Sequence, residues 1–149
     1  MTRIGPWTIL ALAAACGAEG IPAPPAGFAH AAGTRECGPA DGPAVAIYLA
    51  GEPVTALEPP APYVRIFVWR PLNELPDREW TLAGQGAEGS AIYCRASDDC
   101  EVASSGSVRA TDVAPDSTIA GSTDLTFPVA GRVSGGFRAV WLSRVVFCG

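Results

Sequence analysis

Five cysteines are the residues of this sequence with the clearest chemistry. Thiols can pair as disulfides, bind zinc or act as nucleophiles, and their spacing helps to decide among these. Cys16 follows an apolar run, and the others are Cys37, Cys94, Cys100 and Cys148. No two of them have the Cys-x-x-Cys spacing, which disfavours both catalytic thiol chemistry and a four-cysteine zinc site. We therefore expect two disulfides, which form in oxidising compartments.

The four later cysteines can pair in three ways. Cys94 and Cys100 bracket Arg-Ala-Ser-Asp-Asp, a polar connection of hairpin length across which two sulfurs can meet. Cys37 opens the region that we expect to fold, and Cys148 is the penultimate residue. A bridge between them would join the first strand to the last. Of the three schemes, the sequence favours Cys94–Cys100 with Cys37–Cys148.

Groups suited to acid, base or nucleophilic catalysis are sparse. The only histidine, His30, lies in a segment that we expect to be a flexible tether, and lysine is absent, so a serine nucleophile in the folded region has no base of the usual kinds. Asp98, Asp99 and Glu101 crowd one turn and could at most hold calcium, whereas such turns are usually just solvated. A second, looser acidic cluster consists of Asp112, Asp116 and Asp124. We predict that the chain is not an enzyme and that it uses no metal or cofactor.

Composition bounds the class of protein. The 149 residues carry a formal net charge of -5, with 48% hydrophobic and 17% charged residues. This length suits one domain. An acidic chain lacks the basic surface that nucleic-acid binding requires. The 17 glycines and 14 prolines favour turns over long helices.

Residues 1–15 have the pattern of a secretory signal peptide. Arg3 supplies the positive start, and residues 4–15 are apolar. That run is shorter than the ~20 residues needed to cross a bilayer, and it fits a signal segment. Residues 16–36 are rich in Ala, Gly and Pro and predict a flexible tether. We expect residues 37–149 to form the folded domain.

The signal segment ends in Leu-Ala-Ala-Ala-Cys-Gly at residues 12–17. This resembles the lipobox of bacterial lipoproteins, although Ala13 stands where that family usually has Leu. The resemblance implies that Cys16 is lipidated and becomes the new N-terminus, so that the membrane is a partner through a lipid anchor. Gly17 in place of Asp implies sorting to the outer membrane. The alternative is ordinary cleavage after Ala15, Gly17 or Ala31, which would give a secreted module without an anchor.

Alternating apolar residues predict about eight short strands separated by turns. Nine segments are candidates, of which 79–82 is only a possible short strand: 44–50, 63–69, 79–82, 90–95, 101–104, 107–113, 124–130, 136–142 and 145–148. Residues 63–69 are apolar on both faces, which indicates a strand that is central or lies under a loop. Pro128 indicates an edge or bulged strand, because proline cannot donate to a ladder. The pattern predicts an all-β fold, an antiparallel β-sandwich or small barrel with two disulfides.

Four residues could bind a partner on the surface of such a sheet. The rings of Tyr63, Trp69 and Trp80 can stack on flat apolar groups, and Arg65 lies among them. Trp80 has the polar neighbours Glu79 and Thr81, so we expect it to be the most exposed ring. The competing interpretation, which we favour, is that these rings fill the core.

The sequence thus predicts an exported, lipid-anchored domain of the cell envelope with a binding or structural role. Its partner could be a protein or a glycan. Two alternatives stay open: a secreted hydrolase that uses paired carboxylates, and a secreted module without an anchor.

Overall fold

A computed structural model of the chain describes residues 21–55, 59–114 and 117–149. These residues form an all-β fold of nine strands without any α-helix, as the sequence predicts. The strands are β1 (His30–Cys37), β2 (Pro43–Ala50), β3 (Tyr63–Val68), β4 (Arg78–Thr81), β5 (Gly89–Ala96), β6 (Asp99–Val102), β7 (Ser105–Ala114), β8 (Thr118–Phe127) and β9 (Gly131–Trp141). Short 3-10 turns lie at Pro39–Asp41 and Leu72–Glu74.

All nine strands belong to one curled sheet in the order β4-β7-β8-β9-β1-β2-β3-β5-β6. Neighbours are antiparallel except β1 and β9, which are parallel. Between β6 and β7 the chain changes partners. The Ala103 N–H donates to the Ala91 carbonyl at 2.9 Å, and the Ser104 N–H donates to the Thr126 carbonyl at 2.8 Å. One continuous stretch therefore reaches from β5 to β8, and the sheet is a half-barrel rather than two packed sheets.

The core lies on the inner face of this curl. Alternation along β2 and β3 sends one set of side chains inward, and all of them are buried: Val45, Ile47, Leu49, Val64, Ile66 and Val68. Burying an aliphatic side chain of this size contributes about 1.5–3 kcal/mol. β3 lies between β2 and β5, which confirms the prediction of a central strand at residues 63–69.

The two disulfides join the predicted pairs. Cys37 at the end of β1 bonds to Cys148 beyond β9, with their Cα atoms 5.5 Å apart. Cys94 on β5 bonds to Cys100 on β6, with their Cα atoms 4.0 Å apart. The first bridge fixes the C-terminal segment against β1, and the second links the β5–β6 hairpin.

The prediction of a flexible tether over residues 16–36 is wrong for its second half. β1 begins at His30, and Phe28 is buried with its ring centroid 6.1 Å from that of Tyr93. Strand β1 contains two alanines and a glycine but no large apolar residue, so the alternation of large apolar side chains does not predict it. At Gly33 a Cβ atom would lie 3.1 Å from the Ile119 side chain and 3.2 Å from the ring of Trp141, so a larger residue there would require these neighbours to move.

Two smaller predictions about strands are also wrong. β8 lies between β7 and β9 and ends at Phe127, so it is neither an edge strand nor interrupted by Pro128. That proline lies in the following turn, where its missing N–H costs the ladder nothing. Residues 145–148 form no strand.

Candidate binding surface

The outward side chains of β3 form a row that we call the outer stripe: Tyr63, Arg65, Phe67 and Trp69. Because Val64, Ile66 and Val68 face the core, alternation places the intervening residues on the opposite face. Trp69 continues this phase, since its N–H extends the ladder to the Glu88 carbonyl at 2.9 Å. All four side chains are partly exposed. Tyr63, Arg65 and Trp69 are three of the four predicted binding residues, and the fold places them on one face.

Arg65 lies at the centre of the outer stripe in a fixed position. Its guanidinium forms an ion pair with Glu36 of β1 and lies over the ring of Phe67, with 4.8 Å from Cζ to the ring centroid. The Tyr48 hydroxyl donates to the same carboxylate at 3.1 Å. The side chains of Arg65 and Glu36 are 31% and 14% exposed. Strands β1, β2 and β3 each contribute one member of this polar cluster.

The protonation of Tyr48 follows from this environment. Burial raises the pKa of its hydroxyl, and the Glu36 carboxylate raises it further, whereas Arg65 opposes both. Tyr48 therefore keeps its proton and acts as a hydrogen-bond donor. The cluster pairs one cation with one anion between aromatic rings. Such a surface can stack on flat apolar groups and offer charged hydrogen-bonding groups beside them. Sequence reasoning offers Tyr48 as one more ring that could bind a partner but misses Glu36, and only strand pairing brings both to Arg65.

Trp80 does not belong to this surface, and the prediction that it is the most exposed ring is wrong. It is 1% exposed and points into the core from β4, where its Nε1–H donates to the Leu75 carbonyl at 3.3 Å. Glu79 and Thr81 are exposed on the other face. In a strand, two polar neighbours indicate that the residue between them faces the opposite side. The polar context therefore indicated an inward ring.

The acidic turn of the β5–β6 hairpin is held by ion pairs. Arg95 donates to Asp99 at 2.8 and 2.9 Å and to Glu101 at 2.7 Å. Glu101 also accepts from the backbone N–H groups of Val129 and Ala130 at 2.8 and 2.9 Å. Burial by itself would raise the pKa of Glu101, but these donors hold that pKa below its usual value. Arg95 likewise lowers the pKa of Asp99. Within the described ranges, no cluster of His, Cys, Asp and Glu side chains could hold a metal ion.

Two carboxylates share a shallow depression of about 150 Å³, Glu79 and Asp124. Glu79 accepts from the Ser107 hydroxyl, and Arg132 donates to both oxygens of Asp124 at 2.7 Å. Arg132 lowers the pKa of Asp124. A carboxyl that acts as a general acid needs the reverse shift. Asp124 belongs to the looser acidic cluster that the sequence predicts. Of the other two members of that cluster, Asp112 is exposed on β7 and Asp116 lies outside the described residues.

A larger cavity of about 390 Å³ opens at the end of the half-barrel that carries Cys37–Cys148. Its lining is mainly apolar and includes Pro43, Pro71, Leu72, Val113 and Val146, with Arg35 among them. No motif in the sequence marks this cavity, because its lining residues come from five separate segments.

Comparison of the chain with models of known protein families, with curated proteins and with solved structures finds no match. In the part of the chain that the structure describes, no helix has the length and apolarity to cross a membrane. Cys16, the predicted lipidation site, lies outside the described residues.

Proposed function

We propose that this chain is an exported domain that is anchored in the bacterial cell envelope by a lipid on Cys16 and binds a partner through the outer stripe. The observation that carries the proposal is the disulfide pairing. Cys37, Cys94, Cys100 and Cys148 are all consumed by two bridges. Disulfides are typical of oxidising compartments outside the cytoplasm. The fifth cysteine is the one at the end of the signal-like segment.

The anchor is tested by metabolic labelling of the full chain with a radioactive fatty acid in a Gram-negative host. The parent chain should carry label and sediment with membranes. Cys16→Ser should lose the label and appear in the soluble periplasmic fraction. The Cys94→Ser/Cys100→Ser double variant is the control, because it removes two cysteines but keeps Cys16. A Cys16→Ser variant that remains labelled, or a parent chain that takes no label, would leave the secreted module without an anchor as the better interpretation.

A binding role is supported by the half-exposed rings and the fixed Arg65–Glu36 pair of the outer stripe. Flat rings beside paired charges suit the faces and hydroxyl groups of sugar rings. Affinity electrophoresis through gels that contain soluble cell-wall polysaccharides tests this. Losing two stacking rings should weaken retention about tenfold in Tyr63→Ala/Trp69→Ala. Thr126→Ala, an exposed change elsewhere on the sheet, is the matched control. If the parent chain migrates alike in all the gels, the surface does not bind these glycans.

A further inference from the structure

We propose that the cavity at the Cys37–Cys148 end of the half-barrel binds a small, neutral and mainly apolar molecule. The inference goes beyond the proposed function, because it depends neither on the lipid anchor nor on the outer stripe. The cavity has a volume of about 390 Å³, and small-molecule sites usually have volumes of about 300–1,000 Å³. At about 30 Å³ for each molecule of liquid water, it has room for an organic molecule of roughly 13 non-hydrogen atoms.

The cavity is lined mainly by apolar side chains. Five of them come from the β3–β4 loop, from β7 and from the C-terminal segment, residues 142–149: Pro71, Leu72, Pro76, Val113 and Val146. Leu72 is 9% exposed and belongs to the core, and Val113 packs against that core. The inner wall of the cavity is therefore continuous with the core. A ligand that fills the cavity removes this apolar surface from water.

The C-terminal segment is a fixed wall of the cavity, although it forms no strand. At its start, the Leu142 N–H donates to the Gly33 carbonyl at 2.7 Å. The Leu142 carbonyl accepts from the hydroxyl of the buried Thr34 at 3.2 Å. Near its end, Cys148 is bonded to Cys37. Because β1 holds the segment at both ends, the site exists before a ligand arrives, as most small-molecule sites do.

Charge favours a neutral ligand. Among the described residues of the lining, Arg35 and Glu36 are charged and have opposite signs. Both contact other groups: the Cζ atom of Arg35 lies 5.9 Å from the centroid of the Trp141 ring, and Glu36 forms the ion pair with Arg65. A charged ligand would leave water for a lining whose described residues have no net charge, which is costly. Asn73, exposed at the cavity, offers a neutral group for hydrogen bonds.

Fluorescence titration with phenylnaphthylamine tests the site, because this neutral dye emits strongly only in apolar surroundings. The measurement uses the full chain with Cys16→Ser, which needs no detergent that would itself take up the dye. We expect saturable binding of one dye molecule per chain. Anilinonaphthalene sulfonate has the same rings with an added negative charge, and it should bind about tenfold more weakly.

Two neighbouring valines of the C-terminal segment give a matched pair of variants. Val146 is half-buried and lines the cavity, whereas Val145 is 79% exposed. Val146→Asp places a carboxylate against the bound dye and should raise its Kd about tenfold. Val145→Asp adds the same charge on the outside of the same segment and should change the Kd by less than about twofold. Neither valine belongs to a strand, so both variants should fold, and their melting temperatures check this.

Four outcomes would overturn the proposal. Equal weakening by the two variants would place the dye on the exposed face of the segment rather than in the cavity. Dye uptake that does not saturate would show that no defined site exists. Tighter binding of the sulfonate would contradict the neutral class of ligand. A chain that sediments as a dimer and takes up no dye would make the cavity part of an interface between copies. None of these outcomes depends on fatty-acid labelling or on retention by glycans, so the proposed function is tested separately.

Discussion

Replacing Trp80 by Phe should destabilise the domain far more than the same change at Trp69. Both are tryptophans near β3 and β4, but Trp80 is 1% exposed and Trp69 is partly exposed on the outer stripe. The Nε1–H of Trp80 donates to the carbonyl of Leu75, a residue that is itself 1% exposed. Phenylalanine keeps an aromatic ring but has no donor.

The expected loss can be worked out from these contacts. A buried carbonyl that loses its donor costs about 1–3 kcal/mol. The smaller ring leaves a void of roughly 40 Å³, which adds about 1 kcal/mol at 24 cal/mol per Å³. The Arg78 guanidinium, 4.1 Å from the centroid of the Trp80 ring, has a weaker partner in phenylalanine. The total is about 2–4 kcal/mol, a large part of the stability of an ordinary domain of about 5–15 kcal/mol.

Urea unfolding of the oxidised protein, followed by far-UV circular dichroism, measures the free energy of unfolding of both variants. Trp69→Phe should cost less than about 1 kcal/mol, because substitutions of exposed side chains usually have small effects. Equal losses in the two variants, or a loss below about 1 kcal/mol for Trp80→Phe, would refute the argument from the buried hydrogen bond. Either result would also favour the expectation from the sequence that the Trp80 ring is exposed.

Two further predictions concern the disulfides and an acidic residue. Removing the Cys37–Cys148 bridge, whose partners are 111 residues apart, should cost about 5 kcal/mol. Removing Cys94–Cys100, six residues apart, should cost about 2 kcal/mol. Urea unfolding of the two paired Cys→Ser variants measures both, and the reverse order would contradict the loop-entropy argument. The donors to Glu101 hold its pKa below the ordinary value of 4.5. The Glu101 carboxylate therefore stabilises the fold at pH values above 4.5, and this contribution is lost as the pH falls through the lowered pKa. Glu101→Gln should therefore flatten the acid limb of a melting-temperature profile, whereas an unchanged slope would contradict this role.

Much of the fold could be predicted from local patterns. Alternation identified β3 as a strand that is apolar on its inner face and partly apolar on its outer face, because successive side chains in any strand point to opposite sides. Spacing sufficed for Cys94–Cys100, since a short turn brings its ends together whatever the rest of the chain does. Strand β1 escaped this reasoning, because alanine, glycine and threonine carry little hydrophobic signal although Ala32 and Thr34 are buried.

The candidate site shows the same division. The sequence by itself determined that Tyr63, Arg65 and Trp69 share a phase, because that depends only on the period of a strand. Only the tertiary structure decided that Glu36 and Tyr48 complete the cluster, since the pairing of β1 and β2 with β3 depends on contacts between residues distant in the chain. The tertiary structure likewise decided that Trp80 fills the core and that residues 21–28 pack against β9. Alternation fixes which side chains face together, whereas the curl of the sheet fixes which face becomes the inside.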